Sequence, residues 1–143
     1  MPLPFPRPGL VISYSYLWRE EAERNLEEGA KDRPCAIVLS IEDRDGQTVT
    51  TVVPITHSPP DTDLCVEIPQ ETKRRLGLDR DRSWIVANQV NRFDWPGSDL
   101  RPVSRDEPEK FEYGVLPPAL YKKVVALLIE AVRRRQLTIT PRT

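Results

Sequence analysis

Two short stretches carry side chains able to act on a charged substrate. The first, KDRPCAIVLS from Lys31, sets Arg33-Pro34 at the entrance to a run apolar enough to be buried. The second, PITHSPP from Pro54, leaves another apolar run through Thr56-His57. A guanidinium presents a planar fork of donors that suits phosphate, and it stabilises the charge added when phosphorus becomes pentacoordinate. A threonine hydroxyl can hold a phosphate oxygen, and a histidine can move protons near neutral pH. Each also has an ordinary structural role. Arg33 can lay its stem over apolar surface, Thr56 can be a β-branched strand end, and His57 can be a solvent-facing loop residue.

Whether these groups meet depends on the elements that carry them. CAIVLSI and TVTTVVPIT flank EDRDGQ, whose Asp45-Gly46 pair is a hairpin signal. Pairing the strands about that turn and counting outward brings Arg33 and Thr56 to the same end of the sheet. Upstream, the alternate prolines at 2, 4, 6 and 8 predict an extended arm over 1–8 that cannot pair as a strand, and Gly9 ends it. LVISYSYLW reads as the first strand. In REEAERNLEEGA, strong helix formers with Trp18, Ala22, Leu26 and Ala30 at a spacing of four predict an acidic helix closing at Gly29.

Downstream, DLCVEIP reads as a short strand, and PQETKRRLG as one or two helical turns opened by Pro69 and stopped by Gly77. SWIVANQV and RFDW supply the last extended pieces, and the stretch from Arg101 to Glu112 is polar and contains proline. Over 117–136, Leu120, Val124, Leu127, Leu128 and Ala131 fall on one face of a long terminal helix. The expectation is a single domain over 1–143, mainly β (α+β): a small, bent antiparallel barrel with an inserted helix and a long C-terminal helix.

The totals narrow the function classes. A chain of 143 residues, 38% hydrophobic and 30% charged, has the balance of a globular domain and is too apolar for a disordered one. With a formal net charge of −1, no global field draws it to polyanions, so any polyanion site must be local. Two cysteines, Cys35 and Cys65, and a single histidine leave a Cys/His zinc site one ligand short. Cys35, inside an apolar run, reads as a small buried hydrophobe. The apolar run VVALLI is far shorter than the roughly 20 residues of a membrane span, and MPLPFPRPG lacks the apolar core of a signal peptide. The expected setting is cytoplasmic and reducing, with no membrane contact, no metal and no cofactor.

The order G-L-V-I-S-Y-S-Y, R-P-C-A-I-V-L-S, V-V-P-I-T, A-N-Q-V-N-R-F-D-W and a terminal helix resembles the PemK/MazF family of toxins from toxin-antitoxin pairs. The likeness runs from about Gly9 to the last helix, and its most specific pieces are the R-P before the apolar strand and the later P-I-T. It implies an SH3-like barrel, usually a homodimer, that cuts single-stranded RNA without a metal and is inhibited by a cognate antitoxin. It also implies that Arg33 and Thr56 are the catalytic pair, with His57 beside them as acid or base. Two departures stand out. The family commonly has a glycine-containing loop where this chain has the acidic stretch Arg19 to Gly29, and many members carry an acidic residue where this chain has Asn88 before Gln89.

An RNA site would draw further on residues of suitable chemistry. Tyr16, Trp18 and Trp95, together with Tyr14 and Phe93, could stack unpaired bases, and Trp95 before Pro96-Gly97 is the one expected at a surface. Lys31, Arg92 and Arg101 would supply local positive charge, and Ser58 and Gln89 would offer hydrogen bonds. The run Arg133-Arg134-Arg135 is assigned to the negative end of the helix dipole. A shorter stretch, EIPQETKRRLGLDRDRSWIV, resembles the swapped-hairpin DNA-binding domains of the AbrB type, which offers a regulatory DNA-binding module as an alternative. A third reading is an SH3-like interaction module without catalysis.

Overall fold

The hairpin about Asp45-Gly46 forms the centre of the sheet. β2 (Arg33–Glu42) and β3 (Thr48–Thr56) pair antiparallel, with Cys35 opposite Pro54 and Glu42 opposite Thr48. The turn is held by Asp43. Its carboxylate accepts the Asp45 and Gln47 amides at 2.9 and 3.0 Å, while Gly46 takes the positive φ of 80° that a side chain disfavours. Between Ile37 and Leu39 the register shifts by one residue, a β-bulge.

The computed structural model describes residues 3–23 and 32–142, and among them the architecture is a mainly antiparallel β fold with helices. β1 (Leu10–Tyr14) pairs with β2, setting Tyr14 opposite Arg33, and on its other side with β7 (Glu112–Val115). On the far side of the hairpin, the edge of β3 is shared. Its first half pairs with β6 (Gln89–Asp94), and its last residues with β5 (Trp84–Val86), itself paired to β4 (Cys65–Glu67). β8 (Thr138–Pro141) runs parallel to β6. The main path is β4-β5-β3-β2-β1-β7, and among the described residues no ladder joins β7 to β4, so the sheet is open.

Both faces of this sheet are covered along β1 and the adjoining Cys35–Val38 of β2, which explains why β1 is buried at all five positions. On one face Val11, Ala36, Val38, Val53 and Ile55 pack with Ile68 and Leu76, which flank α2 (Gln70–Arg75), and with Leu120 and Val124 of α3 (Pro118–Arg133). On the other, Ile12, Cys35, Ile37 and Val52 pack with the stacked rings of Tyr14 and Phe93, 4.7 Å apart. Alternation along β2 therefore feeds two cores rather than one core and solvent.

Several boundaries differ from the sequence expectation. SWIVANQV is not one strand. Ala87 and Asn88 leave the β3 edge because the Ala87 amide bonds to Leu64 O, and the Asn88 carbonyl accepts from Thr138. The acidic helix is described only as α1 (Arg19–Glu23), where Glu21 accepts the Trp18 amide at 3.0 Å in the manner of a capping box. The expected continuation to Gly29 lies outside the described residues. The terminal helix covers Pro118–Arg133 rather than 117–136, with β8 following. The polar stretch ends in β7, which the sequence left unassigned. Around the stretch from Glu67 to Val86, β4 and β5 belong to the same sheet as the hairpin, and α2 lies between them in the chain.

Candidate functional site

From the last paired residues of the central hairpin, Cys35 and Pro54, two further residues along each strand reach Arg33 and Thr56. Both line a single cleft of about 490 Å³, with Trp18, His57, Ser58, Asn88 and Gln89. Glu20 and Asp61 also line it, so its charge is mixed. A second cavity of about 300 Å³ shares Arg33 and His57 and adds Asp79, Ser83 and Tyr113.

Arg33 is fixed by its surroundings without being used up by them. Its guanidinium carbon lies 5.0 Å from the centroid of the Trp18 ring, a cation–π contact. Its Nε is buried, and among the described residues no acceptor meets it. An unmet donor of this kind is costly, and an anionic ligand oxygen would satisfy it. Trp18 in turn is held by its neighbour: the Leu17 amide donates to Asn91 Oδ1 at 2.9 Å, and Asn91 Nδ2 donates to the Leu17 carbonyl at 2.8 Å. Asn91 is fully buried on β6, which explains a polar residue in a core strand.

Thr56 closes β3 opposite Trp84, and its Oγ1 accepts the Ser58 amide at 3.2 Å. That bond turns the chain so that His57 leaves the strand. The His57 ring is half-exposed, with Nε2 2.7 Å from Asp79 Oδ2. The other carboxylate oxygen of Asp79 is 2.8 Å from Nζ of Lys73, whose side chain is only 1% exposed. Burial raises the Asp79 pKa, but the Lys73 hydrogen bond, the charge on His57 whenever that ring is protonated and the Lys73 charge outweigh it, so the group lies below its ordinary value. Lys73 also donates to Ser83 Oγ and to the Asp81 carbonyl. His57, Asp79 and Asp81 bring ligand-type atoms within 4.8 Å of one another, yet the Lys73 ammonium already supplies a cation there.

The remaining residues named from sequence divide sharply. Ser58 and Gln89 line the cleft, and Gln89 Oε1 accepts the Arg19 amide at 2.9 Å, anchoring the start of α1. Trp18 lines it as well. Tyr16, expected to stack on bases, is 1% exposed and meets the Trp18 ring edge-on at 5.2 Å, so it supports Trp18 instead of facing a ligand. Trp95 is half-buried against Phe93, and its amide bonds to Thr48, at the turn end of β3 away from Thr56. Arg92 is opposite Thr51, beside an apolar groove and outside the cleft. Lys31 lies outside the described residues.

That groove, about 650 Å³, runs between β2, β3, β6, β8 and α3. Leu39, Ile41, Ile129 and Ile139 line it while remaining substantially exposed. No protein-family model matches the chain, and no curated protein matches it in sequence. In the described residues no helix is long and apolar enough to cross a membrane.

Sequence reasoning missed Asp79 and Lys73. Lys73 stands in the charged run KRR, which ordinarily faces water. The available signal was the turn after α2: Gly77, with φ of 71°, reverses the chain so that Asp79, Asp81 and Ser83 present oxygens back toward the helix.

Proposed function

We propose that this chain is a PemK/MazF-like toxin of a type II toxin-antitoxin pair, an endoribonuclease that cleaves single-stranded RNA without a metal. The observation that carries the reading is the convergence of Arg33 and Thr56 on one cleft, with an unmet buried guanidinium donor and His57 beside them. In this reading the ribose 2′-hydroxyl attacks the adjacent phosphorus. The new P–O2′ bond closes a 2′,3′-cyclic phosphate as the P–O5′ bond breaks, leaving a 5′-hydroxyl. RNA brings its own nucleophile, so the protein needs to orient the diester, stabilise charge and move protons. Arg33 stabilises the phosphorane, Thr56 holds a non-bridging oxygen, His57 transfers a proton, and Trp18 offers an aromatic surface to a base.

The open antiparallel sheet is consistent with an SH3-like barrel that is incompletely closed. The exposed apolar groove supports a homodimer, since contiguous apolar surface of this kind marks association sites. The cleft is the surface that a cognate antitoxin would cover, and the setting proposed is the cytoplasm.

The test is incubation of the pure protein with a long unstructured RNA in chelator, followed by end analysis. Cyclic phosphate and 5′-hydroxyl ends are expected, with Arg33→Ala lowering the rate by about a hundredfold or more, the usual cost of losing an oxyanion donor. Intact RNA across varied sequences, or an Arg33→Ala protein cutting at the normal rate, defeats the assignment.

A further inference from the structure

We propose that Asp79 is a positioning residue for His57, locking the neutral imidazole with its proton on Nε2 and leaving Nδ1 as the proton-accepting nitrogen. Its use in RNA cleavage rests on the function proposed above. The positioning itself does not.

A contact between two half-exposed side chains is ordinarily loose. This one differs because its acidic partner is held from behind by a buried ammonium. Lys73 Nζ has three protons and three acceptors: Asp79 Oδ1 at 2.8 Å, Ser83 Oγ at 2.6 Å and the Asp81 carbonyl. Asp79 Oδ1 also accepts the Asp81 amide at 3.2 Å. One oxygen of the carboxylate is thus committed to α2 and the turn behind it, which aims Oδ2 at His57 Nε2, 2.7 Å away. An ionised carboxylate only accepts hydrogen bonds, so Nε2 must carry a proton, and in the neutral ring the lone pair then falls on Nδ1. His57 also lines the cleft that holds Arg33 and Thr56.

Within the proposed cleavage, Nδ1 accepts the 2′-hydroxyl proton as the P–O2′ bond forms. The departing O5′ takes a proton from water, and the imidazolium returns its own to solvent. Lys73 and Asp79 stay in their charge states throughout, so their contribution is orientation alone.

The chain has a single histidine, so its imidazole nitrogens can be read without ambiguity by two-bond ¹H–¹⁵N NMR on the neutral ring. The native protein is expected to show the Nε2–H tautomer. In Asp79→Asn the carboxamide oxygen remains on Lys73, and the amide group turns its donors toward His57, so the proton is expected to move to Nδ1. The same tautomer in both proteins, or Nδ1–H in the native one, overturns the inference whether or not RNA is cut. If the native protein does cut RNA, Asp79→Asn should lower kcat by about tenfold to a hundredfold with KM little changed, the range expected when a catalytic group is misplaced. It should have no further effect once His57→Ala is present. Independent, multiplicative losses in the double variant count against it.

Discussion

A nearly buried ion pair makes a quantitative prediction. Arg142, just past β8, reaches back to the start of the chain. Its Nη2 is 3.0 Å from Asp99 Oδ2, with the two side chains 3% and 6% exposed. Nη1 donates to the Ser15 carbonyl at 2.8 Å and to Asn91 Oδ1 at 2.9 Å, and the guanidinium lies 5.6 Å from the Tyr14 ring. Arg142→Met keeps much of the apolar stem but takes from the buried Asp99 carboxylate the guanidinium 3.0 Å away. Breaking a buried pair from one side costs about 3–5 kcal/mol, far above the value of a surface pair. For a domain of this size that is a fall of roughly 10–15 °C in Tm. Urea unfolding should show a lower midpoint with an unchanged slope. Adding Asp99→Asn removes the other charge of the pair, so the double variant should be destabilised by clearly less than the sum of the singles. A loss below about 1 kcal/mol in Arg142→Met, or strict additivity, would show the pair to be solvated and the reasoning wrong.

Two further outcomes are expected. Cys35 is fully buried and desolvation pushes its thiol well above the ordinary value of 9.0, whereas Cys65 is partly exposed and raised by burial and then by Asp63. A thiol reagent at neutral pH should therefore modify one equivalent slowly, at Cys65, and reach Cys35 only on unfolding; mass mapping that finds Cys35 labelled in the native protein contradicts the packing. If the groove beside Ile129 joins two copies, Ile129→Glu, at a position 64% exposed in the single chain, should convert a dimer to a monomer in sedimentation without lowering monomer stability. A mass unchanged by the substitution points elsewhere for the interface.

How much of this was legible in sequence depended on the range of the forces involved. The central hairpin was, because a local turn signal and the strand period together bring Arg33 and Thr56 to one end of the sheet, although the bulge between Ile37 and Leu39 that sets their final offset gave no local sign. α2 was legible too, since Pro69 and Gly77 mark its ends through backbone geometry alone. β7 and β8 were not. Gly114 weakens EYGV as a strand, and what calls for glycine there, a φ of 131° with Leu76 Cδ2 3.0 Å from any added Cβ, belongs to the folded chain and has no local signal. TITP contains a proline and pairs parallel with a strand far away in the chain, so nothing local announces it. At the site, Thr56 followed from the hairpin and Ser58 from its place two residues on, whereas Gln89 rested on the resemblance, and the fate of each aromatic did not follow. Tyr16 and Trp18 are two residues apart beyond the end of β1, yet the core around Tyr14 and Phe93 takes in the first and leaves the second at its margin against Arg33. Lys73 was hidden for a different reason: a charged residue in a charged run gives no sign that its partners lie past the next turn.

The single-residue offset between Ile37 and Leu39 works as an expansion joint. On the outer side of it the hairpin has β6 as its one further strand partner among the described residues; on the inner side, pairing sets Arg33 opposite Tyr14 and Thr56 opposite Trp84. Changes in length around Asp43–Gln47 are therefore absorbed before they reach the cleft, and doubling that loop costs only about 0.6 kcal/mol in closure entropy. The far tip of the hairpin is free to be remodelled, while the end that bears the arginine and the threonine keeps its alignment.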